Sequence, residues 1–228
     1  MTSTQRVRLG VVAFMVRKDG PIKSIADLKG RVLATNVIGT GTDIGMRAML
    51  RRAGLEDKRD YTVVEADYIT MKPMLLQGKV ELIPTTPVTV HDPELREAGH
   101  TLFFQRDAFG TTQLLAEVAR SGFIDKNRAA LVDYFEDYLR ALRWYLAPAN
   151  RKEAVEIISK FTRLPVARLE GWVLTKDDFY RDPSGRPNLV ALQRNLALQK
   201  EHGFLNAEIE VAKYADLSLI EEAAGRLK

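Results

Sequence analysis

Cysteine is absent from this 228-residue chain. That removes disulfides, a thiol nucleophile and any cysteine-based zinc site. Histidine is scarce: His91, His100 and His202 are the only three. None stands four residues from another, as a helical metal pair requires, and neither His-Glu-x-x-His nor Gly-x-Ser-x-Gly occurs. No apolar run approaches the roughly 18 residues that span a membrane. Charge of one sign is lacking too, since 34 Lys and Arg stand against 30 Asp and Glu, a net charge of +4. The basic residues are interleaved with acids, the densest clusters being pairs such as Arg51-Arg52 and Arg151-Lys152. A nucleic-acid face needs a basic stripe or patch, so no nucleic-acid partner is expected. Carboxylate pairs such as Asp177-Asp178 and Glu221-Glu222 are adjacent in the chain, do not face each other on a helix, and read as solvated charge.

What is present is ordinary for a globular protein: 46% apolar and 28% charged residues, which exclude wholesale disorder. Against a norm of about 150 residues per domain, the length allows one large domain or two small ones. The apolar stretch from Leu9 to Val16 follows Arg6 and Arg8, as the core of an export signal would. Arg17-Lys18-Asp19 then follows at once, with no small-residue cleavage site, so the stretch reads as a buried strand and the chain as given carries no export address.

From residue 20 to 110, strand and helix signals alternate. Ser24 and Asp27 open a short helix closed by Gly30. Arg31 to Val37 reads as a strand, and Gly39-Thr40-Gly41-Thr42 as a loop. A helix follows from about Asp43 to Ala53, with Met46, Met49 and Leu50 on its apolar stripe, Arg47 and Arg51 on another face, and Gly54 as its left-handed cap. Tyr61 to Ala66 is the next strand. A helix from about Thr70 to Gln77 would hold Pro73 in its first turn, with Gly78 ending it. Val80 to Ile83 and His100 to Phe104 complete the strand set, with Pro84-Thr85-Thr86-Pro87 breaking the first. This order implies βαβ units and a mainly parallel sheet. Thr112 to Val118 reads as one more extended segment, and the remainder as helical. Asp125 is placed as the N-cap of a long helix to Leu146, whose stripe is Leu131, Phe135, Tyr138, Leu142 and Tyr145. Further helices are expected at Arg151 to Phe161, around Leu189 to Leu196, and from Leu217 to Leu227.

The strongest local chemistry is Gly39-Thr40-Gly41-Thr42-Asp43, between the carboxyl end of a strand and the start of a helix. Open α/β sheets bind ligands there, and unpaired helix N–H groups favour an anion. The alternative is a plain turn with Thr42 as N-cap and Asp43 complementing the helix dipole. Asp43 would repel a bound anion unless turned away. Thr85 and Thr86 end a second strand and could line the same cleft, or simply form a proline-framed turn. Tyr68 and Trp172 are candidate pocket aromatics, although large aromatics are core residues more often.

The segment Phe14 to Gly54 (FMVRKDGPIKSIADLKGRVLATNVIGTGTDIGMRAMLRRAG) resembles the solute-binding proteins of ABC importers, in the nitrate, sulfonate, taurine and thiamine-precursor class. The Ile22-to-Gly30 element, the Gly/Thr loop, Leu75-Leu76-Gln77-Gly78-Lys79-Val80-Glu81 and the ending Lys213 to Ala223 are similar to that family's in order and spacing. Glu81-Leu82 and Pro84-Thr85-Thr86-Pro87 depart from its usual pattern. The resemblance implies an α/β fold of the type II periplasmic-binding kind. One βαβ lobe would be complete over 18–110, with a crossing strand and partial lobe one over 1–17. A return strand and the helical part of lobe one would occupy 111–228, the front of lobe one lying outside the chain.

It further implies a solute-binding component that captures a small, anionic, sulfonate- or nitrate-like solute by hinge closure and hands it to a membrane permease. Gly39, Thr40, Gly41, Thr42, Asp43, Thr85 and Thr86 would be the ligand contacts. No catalytic residue, metal or cofactor is implied, and the location would be periplasmic or at the cell surface. The alternatives are an enzyme on the same fold, of the pyrimidine-precursor synthesis type, and a cytosolic ligand-sensing module. The aromatic stripe on the long helix (Tyr134, Phe135, Tyr138, Trp144, Tyr145) would be left bare, which would favour self-association.

Overall fold

Ala13, Phe14, Met15 and Val16 are all buried, and they alternate between two faces, as a strand covered on both sides must. In the computed structural model, which describes residues 12–175 and 178–227, they form β1 (Ala13–Arg17). Leu9, Val11, Arg6, Arg8 and Asp177 lie outside the described residues. A 3-10 turn over Ile25–Leu28 follows β1, with the Asp27 carboxylate accepting from the Ser24 N–H at 2.7 Å. Next come β2 (Arg31–Thr35), α1 (Gly41–Arg52), β3 (Tyr61–Glu65), α2 (Tyr68–Leu76), β4 (Ile83–Thr85), α3 (Pro87–Val90), α4 (Pro93–Ala98), β5 (Gly99–Phe104) and α5 (Gln105–Phe109). The rest is helical: α6 (Ser121–Leu146), α7 (Arg151–Thr162), α8 (Val166–Leu169), α9 (Leu189–Glu201) and α10 (Ser218–Arg226).

β1 pairs antiparallel with β4 (Ala13↔Thr85, Met15↔Ile83) and with β5 (Ala13↔Phe104, Arg17↔Gly99). β2 and β3 are parallel, from Arg31↔Tyr61 to Thr35↔Glu65. A parallel bridge Leu33↔Leu82 joins the two groups, with the Ala34 N–H donating to the Leu82 carbonyl at 2.9 Å and that of Glu81 to Val32 at 2.8 Å. The spatial order is therefore β3-β2-β4-β1-β5. Four strands point one way and β1 runs against them, so the expected mainly parallel sheet carries two antiparallel pairings. An apolar run buried on both faces holds no signal of direction. Phe14 and Val16 face α1, packing with Leu33, Met46, Leu50 and Phe103. Ala13 and Met15 face α2 and α4, packing with Met71, Leu75 and Leu95.

Several boundaries differ from the sequence reading. α1 starts at Gly41 with Thr40 as its N-cap, not Thr42. α2 starts at Tyr68, which puts Pro73 inside the helix and not in its first turn. The partner that Pro73 lacks an N–H for would be the carbonyl of Ile69, whose side chain is exposed, so water can reach that end of the helix. Pro84 and Thr85 belong to β4 and do not break it. No strand forms within 112–120, so a return strand is not seen among the described residues. α6 begins at Ser121 and is interrupted by non-helical Asn127, so Asp125 lies inside it and is not its N-cap.

The buried stripe of α6 is Val132, Leu139 and Leu142, with Val132 and Leu139 set against Leu219, Ile220 and Ala223 of α10. Tyr138, expected on that stripe, is 41% exposed, and Tyr134 and Trp144 are exposed as well. Two contact zones join the α/β part to the helical part. One is the cluster of Ile44, Ala48, Ala108 and Phe109 with Leu198 and Phe204. The other sets Val88 of α3 against Val155, Leu169, Trp172 and Val173. No helix among the described residues is long and apolar enough to cross a membrane.

Candidate ligand site at the carboxyl edge of the sheet

The register brings the expected site residues to one edge. Extending the Leu33↔Leu82 bridge by three and four residues sets Asn36 and Val37 level with Thr85 and Thr86. The turn after β2 and the end of β4 are thus neighbours, beside the start of β1 and the end of β5. The seven residues play unequal parts there.

In the turn, Ile38 donates its N–H to the Glu65 carboxylate at 2.6 Å and Gly39 to that of Asp43 at 2.9 Å. Thr40 donates to the Val37 carbonyl at 3.4 Å, and its hydroxyl accepts from the Asp43 N–H at 3.5 Å. The N–H groups of Gly41 and Thr42 have no acceptor among the described residues. They are first-turn amides, and the helix itself offers them none.

Asp43 is buried beneath the turn, where its carboxylate also takes the Gly39 N–H. It is 1% exposed, and Arg47 Nε donates to both its oxygens at 2.9 Å. Arg47 Nη1 lies 2.6 Å from Asp57. Arg47 was expected on a polar face, but it is buried. Burial opposes its charge, yet Asp43 and Asp57 outweigh that and hold its guanidinium above its ordinary pKa. Arg47 offsets the Asp43 carboxylate at the start of α1 while also pairing with Asp57, so the opposition to the dipole and the two free amides is reduced. Nearby Tyr61 is pushed up to about 12, first by burial.

Thr85 is fully buried, its hydroxyl donating to the Ala13 carbonyl at 2.8 Å, so it braces β4 against β1. Thr86 caps α3; its N–H donates to Thr89 Oγ1 at 2.7 Å, and its own hydroxyl is 3.2 Å from the same atom. Tyr68 packs partly on the core, and Trp172 is buried with Nε1 donating to the Arg168 carbonyl at 3.0 Å. Sequence reasoning missed Gln105. It is 7% exposed, its Nε2 donates to the Gly41 carbonyl at 3.2 Å, and its Oε1 is buried without a partner. The signal was a polar residue closing the apolar strand end Phe103-Phe104. Two concavities, of about 390 Å³ beside Leu196 and Ile209 and about 110 Å³ between Arg51 and Phe204, do not include this edge.

A five-stranded α/β unit followed by helices, with an amide-rich turn at the carboxyl edge, is the fold of the type II periplasmic binding proteins. The NMT1/THI5-like family model matches residues 5–150, and the chain belongs to that family. No curated protein sequence matches it. Among solved structures, it is similar to the periplasmic aliphatic sulphonate binding protein SsuA from Escherichia coli. The identity is 17% and the TM-score 0.66, over 92% of this chain and 66% of that one. It is also similar to the periplasmic nitrate-binding protein NrtA from Synechocystis PCC 6803, at 16% identity and a TM-score of 0.72, over 96% of this chain and 66% of that one. The desulfurization enzyme DSZB shares the fold at 15% identity and a TM-score of 0.65, over 96% and 77%. The chain spans just under two thirds of the length of the two binding proteins.

Proposed function

We propose that this chain is the solute-binding component of an ABC importer, working at the periplasmic or cell-surface face with a membrane permease as partner. It binds and releases without catalysis. Its solute is a small anion of the nitrate or sulfonate kind, held against the amides of Gly41 and Thr42 with the Thr40 and Thr86 hydroxyls beside them. In this reading Gly39, Asp43 and Thr85 hold the wall in place. Ligand contacts to both sides of the cleft would favour a closed arrangement by hinge motion.

The observation that carries the proposal is the pair of unpaired first-turn amides beside a carboxylate that Arg47 offsets. The likeness to SsuA and NrtA supports the choice of anion. Calorimetry with nitrate and with an alkanesulfonate tests it. Gly41→Pro is the informative variant, because position N1 of a helix accepts proline and Thr40 already has the extended backbone that precedes one (φ −76°, ψ 163°). It deletes one donor and leaves the helix intact. A charge-assisted hydrogen bond contributes about 1.5–3 kcal/mol, so affinity should fall about 10- to 100-fold. Heat of binding unchanged in Gly41→Pro would reject the site, and silence with both anions would reject the ligand class.

A further inference from the structure

The chain leaves the α/β part through Gly110, whose backbone (φ 66°, ψ −138°) suits only glycine. α9 grips the chain on either side of it. Arg194 Nη2 donates to the carbonyls of Phe109 at 3.1 Å and Thr111 at 3.0 Å, and Asn195 Nδ2 reaches the same two at 3.4 and 3.2 Å. This zone is apolar behind the grip, with Phe109 packed on Leu198 and Phe204. It can turn but not part without exposing that cluster, which makes it the pivot.

The second zone also has an apolar contact, Val88 of α3 against Val155, Leu169, Trp172 and Val173, but the chain does not cross between the two parts there, and a polar contact is added. Asp92 caps α4 by accepting from the Leu95 N–H at 3.1 Å, and it accepts from Lys72 Nζ at 2.9 Å. Both partners belong to the α/β part. Its other oxygen, Oδ2, accepts from Arg168 Nη2 of α8 at 2.9 Å. This ion pair crosses from the α/β part to the helical part. Removing a partner from a buried charge is costly because the charge is stranded. Asp92 would not be stranded: with Arg168 gone, it keeps Lys72 and the Leu95 amide. The Arg168 side chain is 36% exposed and regains water. Asp43 and Arg47, both inside one helix, have no such freedom.

We propose that Asp92 and Arg168 form a releasable latch that holds the helical part against α3 and α4, pivoting at Gly110. Thr86 is the N-cap of α3, so release would free the helical part from the element that begins at the candidate site. The latch rests on the hinge-closure reading above for its purpose, but its existence is measurable without any solute.

The chain has no cysteine, so exposed Glu97→Cys on α4 and Lys160→Cys on α7 accept a dye pair without competing thiols. Single-molecule energy transfer on the ligand-free chain then reads the separation of the two parts. R168Q should raise the separated population about fivefold, the upper end for a part-exposed pair. K72Q, which cuts a bond within one part, should leave the distribution as in the parent. D92N keeps an oxygen for the Leu95 amide and should move it in the same direction as R168Q, which protects the test if either variant folds poorly. Parent-like distributions in folded R168Q or folded D92N would overturn the latch, as would a K72Q shift equal to that of R168Q. Loss of nitrate and sulfonate binding as a function would leave these readings untouched.

Discussion

Asp43 and Arg47 make the residue-scale case for how a charge can sit beside an anion site. The carboxylate is 1% exposed and the guanidinium is held on its other side by Asp57. Arg47→Met would leave Asp43 buried and uncompensated. Breaking such a pair costs about 3–5 kcal/mol, and the low end, about 3 kcal/mol, applies here because the arginine edge is still 10% exposed. The double variant Asp43→Asn/Arg47→Met should recover at least half of that loss in urea unfolding, since no unpaired charge remains. A double variant as unstable as Arg47→Met would mean that the arginine acts through packing alone. The sequence reading set Arg47 with Arg51 and did not pair it with Asp43, although an Asp with an Arg four residues on is the spacing that places two side chains on one helical face. What the spacing could not say is that this face is buried. That depends on the chain around Asp57 and Tyr61 closing over it.

At the scale of elements, the readable ones had both a period and an end signal. β2 and β3, α1 with Gly54 at its end (φ +81°) and α10 fall close to where the patterns put them. α3, α4 and α5 are too short to show a period, and they follow proline or a cap residue inside what looked like loop. On α6 the predicted stripe holds at Leu131, Phe135, Leu142 and Tyr145, which are buried or packed on core clusters, but Tyr138 is exposed and the most buried positions, Val132 and Leu139, lie one residue round. An aromatic-rich helix offers two adjacent stripes, and the choice between them is made by α10, more than 70 residues away. Neighbouring substitutions separate the two stripes. Leu139→Ala removes a fully buried side chain from the α6–α10 contact and should cost about 2–5 kcal/mol. Tyr138→Ala, at a position 41% exposed, should cost less than half as much by the same denaturation assay. Equal costs would return the core stripe to the one read from sequence.

For the whole molecule, acid should release the latch, and only after the ordinary exposed carboxylates have begun to protonate. Burial raises the Asp92 carboxyl, but the bonds from Lys72, the Leu95 amide and Arg168 outweigh it and hold the group below its ordinary value. A group whose folded pKa is depressed contributes above its unfolded value, near about 3.9, and loses that contribution as pH falls through the folded one. The charged groups facing it are Lys72 from α2, Glu94 beside Lys72, and Arg168 from α8, with His91 preceding it in the chain. The dye-labelled chain should therefore hold one separation from pH 7 to about 4 and open below that. R168Q, which lacks the bond across the zone, should show a smaller step. A step centred near pH 6.5, where imidazoles ordinarily titrate, would move control from Asp92 to His91. Circular dichroism in parallel distinguishes opening from unfolding, because a pivot that keeps Phe109 on Leu198 and Phe204 leaves every helix intact while the two parts separate.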